Sequence, residues 1–98
     1  MRAHWTDKAL FRLQQIHDYI AQDNPANAGR FVDRLTRKAA LIAHQPHAGA
    51  TVKKYQREDI RETYEGRYRI IYRIHSDRID VLTVRHGMRL LPQHLRNL

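Results

Sequence analysis

Residues 66–75 alternate between apolar or aromatic side chains and basic ones. A period of two predicts a β-strand whose two faces differ in polarity. The face toward the core is expected to carry Tyr68, Ile70, Tyr72 and Ile74. The other face is expected to carry Ile71 together with Arg67, Arg69, Arg73 and His75. The pattern therefore predicts a core on one side of a sheet and a column of cations on the other.

Two further strands are predicted beside this one. Residues 79–86 follow the turn-like segment 76–78, and their apolar side chains on both faces favour an interior position in the sheet. Residues 60–65 also alternate and are expected to pair with the central strand through a turn at Gly66. Together these segments predict a β-meander from about 60 to 86.

Two helices are predicted before the meander, because apolar residues recur there at spacings of three and four. The first runs from about residue 6 to 22, and the Thr6 hydroxyl is expected to cap it. The second begins at Pro25, after Asn24 as its cap, and ends near Pro46. The linker is so short that an antiparallel helical hairpin is expected over about 6–45.

The remaining segments are short. Residues 2–5 indicate a brief strand, 46–59 a loop, and 87–98 a tail that is either a short docked helix or a disordered end. A single domain over 1–98 is expected, of α+β class. In it an N-terminal helical hairpin packs on a small, mainly antiparallel β-sheet.

The composition narrows the possible partners. Eighteen Lys and Arg against ten Asp and Glu give a formal charge of +8, spread through segments with folded patterns, which implies an anionic partner. The absence of cysteine excludes disulfides and thiolate sites. His44 and His47 are three residues apart, but Pro46 lies between them and no third ligand is evident, so no metal site is expected. No other cofactor is expected either. With no signal peptide and no membrane span, the protein is expected in the cytoplasm without a membrane partner.

Several motifs, taken in order, resemble the RelE/ParE superfamily of bacterial toxins. They are Trp5 with Ala9, the segment 18–21 (DYIA), Pro46 with Gly49, 60–62 (IRE), 68–72 (YRIIY) and 81–86 (VLTVRH). The likeness extends from Trp5 to about Arg89. It implies the same arrangement of a helical hairpin on a small twisted sheet.

The resemblance also implies a role and a partner. The chain would be the toxin of a type II toxin-antitoxin system, with growth arrest and plasmid stabilisation as its effects, held inactive by the acidic C-terminal segment of an antitoxin. An amphipathic antitoxin helix would lie on the helical hairpin, and an extended piece would add to a sheet edge. The candidate antitoxin contacts are Leu13, Ile20, Phe31, Leu35, Leu90 and Leu91.

The superfamily has two functional branches, and the fold does not choose between them. RelE-like toxins cut mRNA in the ribosomal A site by attack of a ribose 2'-hydroxyl on the adjacent phosphate. This reaction needs a base, an acid and cations. The candidates for such a site are Lys53, Lys54, Arg61, Arg69, Arg73, Arg85, His86 and Arg89, with Glu62 as a possible base. ParE-like toxins block DNA gyrase on DNA, which needs no catalytic group.

The residues after His86 favour the second branch. His86 is the best candidate for proton transfer, since histidine changes its charge near neutral pH. Members that cut mRNA generally follow this position with an aromatic or basic residue, whereas Gly87 and Met88 follow here. The His-Gly-x-Arg ending looks more like ParE. We therefore predict a non-enzymatic gyrase inhibitor whose candidate target contacts are Arg67, Arg69, Arg73, Arg85 and Arg89.

Each feature also has a structural interpretation. The arginine column can be a solvated face that pairs with Glu62 or Glu65, and Arg61 and Arg69 suit such pairing better than phosphate contact. His86 can be a hydrogen-bonded residue at a strand end. A third hypothesis is a basic nucleic-acid-binding module without toxicity, although no recognition helix or aromatic platform is evident in the sequence.

Overall fold

The computed structural model describes residues 1–98 and contains two helices and a five-stranded sheet. The helices are α1 (Asp7–Ala21) and α2 (Pro25–His44). The strands are β1 (Arg2–Trp5), β2 (Ala50–Thr51), β3 (Ile60–Glu65), β4 (Tyr68–Ile74) and β5 (Arg78–His86). The sheet order is β1-β5-β4-β3-β2. Only β1 and β5 run parallel, so the predicted α+β arrangement on a mainly antiparallel sheet is confirmed.

Both helices begin at the predicted caps. The Thr6 hydroxyl accepts a hydrogen bond from the Ala9 amide at 3.1 Å and donates one to the Val81 carbonyl at 3.0 Å. It therefore caps α1 and fastens it to β5. The Asn24 side chain accepts from the Asn27 amide at 3.1 Å at the start of α2. Neither helix is long and apolar enough to cross a membrane.

The meander forms as predicted, with one irregularity. Gly66 makes the β3–β4 turn with φ of +59°, a left-handed conformation that favours glycine. Strand β5 lies between β1 and β4, as its two apolar faces indicated. Its pairing with β4 shifts between Val81 and Thr83, so Leu82 is an extra residue on β5. As a result Val81 and Val84, three positions apart, both pack into the same core.

The main core lies between the helices and the sheet. It is formed by the apolar stripes of both helices and the facing residues of β4 and β5, which are Ala9, Leu13, Ile16, Phe31, Leu35, Ala39, Ile70, Val81 and Val84. Tyr72 and Ile79 extend it toward Ala43 at the end of α2. The helix and strand patterns therefore identified the main core correctly.

The other face of the sheet is not the solvated column of cations that the sequence predicted. A second apolar cluster covers it, formed by Val52, Ile60, Ile71 and Leu98 with Tyr55, Leu82, Leu91 and Leu95 at its margin. The tail is docked here, ends in a 3-10 turn at Leu95–Asn97, and buries Leu98 to 3% exposure. The alternation along β4 did not reveal this cluster because most of its members come from outside that strand.

The segment predicted as a plain loop, 46–59, also contains regular structure. Two 3-10 turns, Pro46–Ala48 and Lys53–Tyr55, flank the two-residue strand β2, which pairs with β3 at the edge of the sheet. Two residues cannot show a period of two, so the sequence carried no signal for this strand.

Candidate functional site

Four arginine side chains lie close together where α1 packs beside the end of β5. We call Arg12, Arg69, Arg85 and Arg89 the arginine cluster. Arg69 on β4 and Arg85 on β5 are directly opposite each other in the ladder. Arg12 comes from α1, and Arg89 follows β5. Like charges directly opposite on neighbouring strands destabilise a sheet, because their Cβ atoms are only about 5 Å apart. The cluster therefore has a cost in stability.

The cluster is held mainly by neutral carbonyl groups. Arg69 Nη2 donates to the Gly87 carbonyl at 2.9 Å, and Arg85 Nη1 lies 3.5 Å from the Leu90 carbonyl. The one ion pair is between Arg69 and Glu62, at 3.8 Å. Arg12, Arg85 and Arg89 have no carboxylate within 4 Å. The carbonyls fix two of the guanidinium groups in place without neutralising them.

The charges in the cluster affect one another. Burial lowers the pKa of Arg85, and the positive charges of Arg12, Arg89 and Arg69 lower it further, partly opposed by Tyr55. The Nε atoms of Arg12, Arg69 and Arg85 are buried and have no hydrogen-bond partner within the protein. Buried donors are nearly always paired in native proteins, so three unpaired ones in a single cluster need an explanation.

Two concavities adjoin the cluster. One has a volume of about 170 Å³ and is lined by Arg12, Gln15, Tyr19, Tyr68, Arg85, His86 and Arg89, among others. The second has a volume of about 370 Å³ and is lined by Lys53, Lys54, Glu62, Arg69 and Leu91, among others. Lys54 Nζ donates to the Leu91 carbonyl at 2.7 Å. Cations therefore continue along the surface from the first concavity to the second.

The remaining predicted arginines lie apart from the cluster. Arg61 pairs with Glu58 at 2.9 Å, in the loop before its own strand, and donates to the carbonyls of the segment after α2. Arg73 pairs with Asp59 at 3.2 Å and lines a separate, larger groove of about 610 Å³. Arg67 is exposed beside the Gly66 turn. The arginines predicted to form one column therefore lie at separate places on the surface.

The side chain of His86 makes a hydrogen bond and an aromatic contact with neighbouring residues. Its Nδ1 accepts a hydrogen bond from the Met88 amide at 3.1 Å, and its ring packs edge-on against Tyr68 with centroids 5.6 Å apart. Glu62, the other candidate for proton transfer, faces Arg69. No group of three metal-binding side chains lies together in the structure.

The candidate antitoxin contacts have mixed exposure. Leu13, Phe31 and Leu35 are in the main core and offer at most 8% of their surface, which argues against them as contacts. Ile20 and Leu91 are half-buried, and Leu90 is exposed. The large exposed apolar side chains of the hairpin are Leu10, Phe11, Tyr19 and Leu41.

Sequence reasoning missed Arg12 and Tyr55, which both lie at the arginine cluster. The Tyr55 hydroxyl donates to the Pro92 carbonyl at 2.8 Å, and burial raises the pKa of Tyr55. Neither residue belongs to a strand of the meander, and no spacing along the chain relates them to Arg85. Only the packing of α1 and of the 3-10 turn Lys53–Tyr55 on the sheet brings them together.

Comparison with known proteins gives a consistent result. Residues 3–91 match the model of the ParE toxin of the type II toxin-antitoxin system parDE. The chain is 37% identical over 95 residues to the Sinorhizobium fredii protein Y4kP, which is named as a toxin, with 96% of each chain covered. It is 33% identical over 86 residues to "Toxin RelE2" of Caulobacter vibrioides, with 88% of this chain and 94% of that protein covered.

A solved structure shares the fold. It is a chain from the chromosomal ParDE TA system of P. aeruginosa, with a TM-score of 0.72 and 20% sequence identity. The match covers 88% of this chain and 95% of that one. At this identity the likeness concerns the arrangement of helices and strands, which extends over nearly the whole molecule.

Proposed function

Because this chain belongs to the family of ParE toxins of type II toxin-antitoxin systems, we propose that it inhibits DNA gyrase and that a cognate antitoxin neutralises it. The observation that carries the proposal is the family match over residues 3–91, which includes both helices, strands β2 to β5 and all of β1 except Arg2. Inhibition by binding asks only for a complementary surface, and the chain has a strongly basic one.

The surroundings of His86 are consistent with this activity. A general base needs a nitrogen available to the proton that it removes. Nδ1 of His86 instead accepts from the Met88 amide and shapes the turn after β5. The residue therefore has a structural task in this fold, and gyrase inhibition places no further demand on it.

The outer surface of the hairpin suits an antitoxin. Phe11 and Tyr19 are eight residues apart on α1 and are 60% and 70% exposed, so they lie on one side of the helix. Leu41 on α2 is 64% exposed. An amphipathic antitoxin helix would cover such apolar residues, and its acidic side chains would complement the charge of +8.

The direct test is a supercoiling assay with purified gyrase, relaxed plasmid and ATP. The chain is titrated in, and both supercoiled product and cleaved plasmid are quantified. We expect supercoiling to fall while cleaved plasmid accumulates. The matched control is the same titration with the chain preincubated with its antitoxin, which should restore activity. A folded chain that leaves both readouts unchanged at large molar excess would overturn the proposal.

A second candidate is cleavage of mRNA on the ribosome, because one relative is named "Toxin RelE2". The site would then be the arginine cluster with Lys53, Lys54 and His86. Incubation with translating ribosomes and a defined mRNA, followed by primer extension, tests it. Cuts that require both ribosome and chain would favour this function over gyrase inhibition.

A further inference from the structure

The arginine cluster combines two unfavourable features with little compensating negative charge. Arg69 and Arg85 face each other across two strands. Three of the four guanidinium groups have a buried Nε without a partner. One carboxylate, on Glu62, stands near the cluster, 3.8 Å from Arg69. The first two features destabilise the folded chain, and the single carboxylate offsets only part of the positive charge.

We propose that the arginine cluster binds the phosphodiester groups of a nucleic-acid backbone. A guanidinium group offers Nε and Nη donors in a planar fork that matches two oxygens of one phosphate. In Arg85 the Nη1 atom is turned toward the Leu90 carbonyl, and Nε is unpaired. A phosphate beside Arg85 and Arg89 would reduce the repulsion among the four cations.

The extent of the cationic surface favours a polymer over a single anion. The concavity beside Arg12, Arg85 and Arg89 would accept one phosphate. The adjoining concavity presents Lys53, Lys54 and Arg69. Cations on both sides of the Arg69–Arg85 pair suit a chain of regularly spaced charges. An acidic peptide carries fewer and irregularly spaced charges than a nucleic-acid backbone.

This inference rests on the proposed function, because the DNA on which gyrase acts is the nucleic acid that the arginine cluster would contact. It assigns the cluster to the DNA in the toxin-gyrase-DNA complex and leaves the protein contact to other surfaces. It also makes a prediction that does not involve gyrase, which is salt-dependent binding of the isolated chain to nucleic acid.

The test uses fluorescence anisotropy with a labelled DNA duplex of arbitrary sequence over a series of salt concentrations. The variants are Arg85→Gln and Arg89→Gln, and the matched controls are Arg30→Gln and Arg37→Gln, which remove exposed arginines of α2 that form no ion pair. Arg89 is exposed in the segment after β5, so its replacement leaves the core intact. Circular dichroism establishes that each variant is folded.

The expected result is a weaker affinity for both cluster variants and a salt dependence reduced by about one unit of slope for each phosphate group that the variant no longer binds. The control variants should show a smaller decrease in affinity, because they change only the net charge. Equal decreases in all four variants would overturn the proposal. Binding of the wild-type chain to polyglutamate but not to DNA would also overturn it.

Two further experiments determine which nucleic acid supplies the phosphate groups and whether DNA binding accompanies gyrase inhibition. Tighter binding to duplex DNA than to single-stranded RNA of the same length assigns the site to DNA, and the reverse order assigns it to RNA. Gyrase inhibition by a chain that binds no nucleic acid would overturn this inference and leave the proposed function standing. DNA binding that depends on the arginine cluster, without any gyrase inhibition, would support this inference and overturn the proposed function.

Discussion

The hydroxyl group of Tyr72 occupies the space into which a side chain on Gly49 would project. A Cβ atom on Gly49 would overlap that oxygen and would lie 2.8 Å from the Glu62 carbonyl oxygen. Tyr72 is fully buried, and its hydroxyl donates a hydrogen bond to the Pro46 carbonyl. Burial raises the pKa of Tyr72. This contact fastens the loop after α2 to the centre of the sheet.

Gly49→Ala is therefore expected to destabilise the fold. Gly49 has an extended backbone with φ of −70°, so the cost arises from lack of space and not from backbone strain. Overfilling a packed site of this kind costs about 1–3 kcal/mol. Urea denaturation followed by circular dichroism measures the change in the free energy of unfolding.

Gly29→Ala is the matched control for this substitution. A Cβ atom on Gly29 would meet nothing within 4 Å, and the residue lies within α2. Replacing glycine by alanine inside a helix stabilises it by about 0.5–1 kcal/mol. If Gly49→Ala proved as harmless as Gly29→Ala, the packing described around Tyr72 would be wrong.

The tail contributes to stability through its last residue. Leu98 is 3% exposed and packs in the second apolar cluster with Val52, Ile60 and Ile71. Leu98→Ala removes buried methyl groups and is expected to cost about 2 kcal/mol or more. Leu90→Ala makes the same chemical change at a residue that is 91% exposed and should be nearly neutral. A shift of the thermal midpoint for Leu98→Ala alone is the expected result, and equal shifts would contradict the docked tail.

How much the sequence predicted depends on the range of the interaction. Thr6, Asn24 and Gly66 act on their immediate neighbours, and their caps and turn were predicted at the correct positions. The apolar stripes predicted the main core because a helix or a strand repeats its pattern over many residues.

Features that depend on distant segments were not predicted. Leu98 covers Ile71 only because the tail returns across the sheet, and no periodicity signals that return. No periodicity relates Arg12 to Arg85 either, because Arg12 comes close to Arg85 only through the packing of α1 beside β5. The second core cluster and the composition of the arginine cluster are both products of tertiary packing.

Acid is expected to remove the stabilising contribution of Asp80. Burial raises the pKa of Asp80, but the hydrogen bond from Arg78 and the charges of Arg78 and His75 outweigh it, so that the pKa is lowered. Because the folded value lies below the unfolded one of about 3.9, the carboxylate stabilises the fold at neutral pH. This contribution is lost as the pH falls below about 4, through the folded pKa.

Asp80→Asn should consequently reduce the free energy of unfolding at pH 7 by about 2 kcal/mol, a typical value for hydrogen bonds to a charged group. The difference from wild type should narrow as the pH falls below about 4. Asp77→Asn is the control, since that side chain is 73% exposed in the same turn. A difference between Asp80→Asn and wild type that stays constant from pH 7 to the acid range would contradict the assigned linkage.

His86→Ala distinguishes the two candidate activities. A ribonuclease that used His86 for proton transfer would lose activity by about a hundredfold or more. A gyrase inhibitor should keep most of its effect, because the substitution removes only the hydrogen bond from Met88 and the contact with Tyr68. We expect induced expression of His86→Ala to arrest growth nearly as well as the wild-type chain.

The matched control is His44→Ala, at an exposed residue that ends α2. Growth arrest abolished by His86→Ala in a folded protein, with His44→Ala fully active, would instead place His86 in a catalytic site and favour mRNA cleavage.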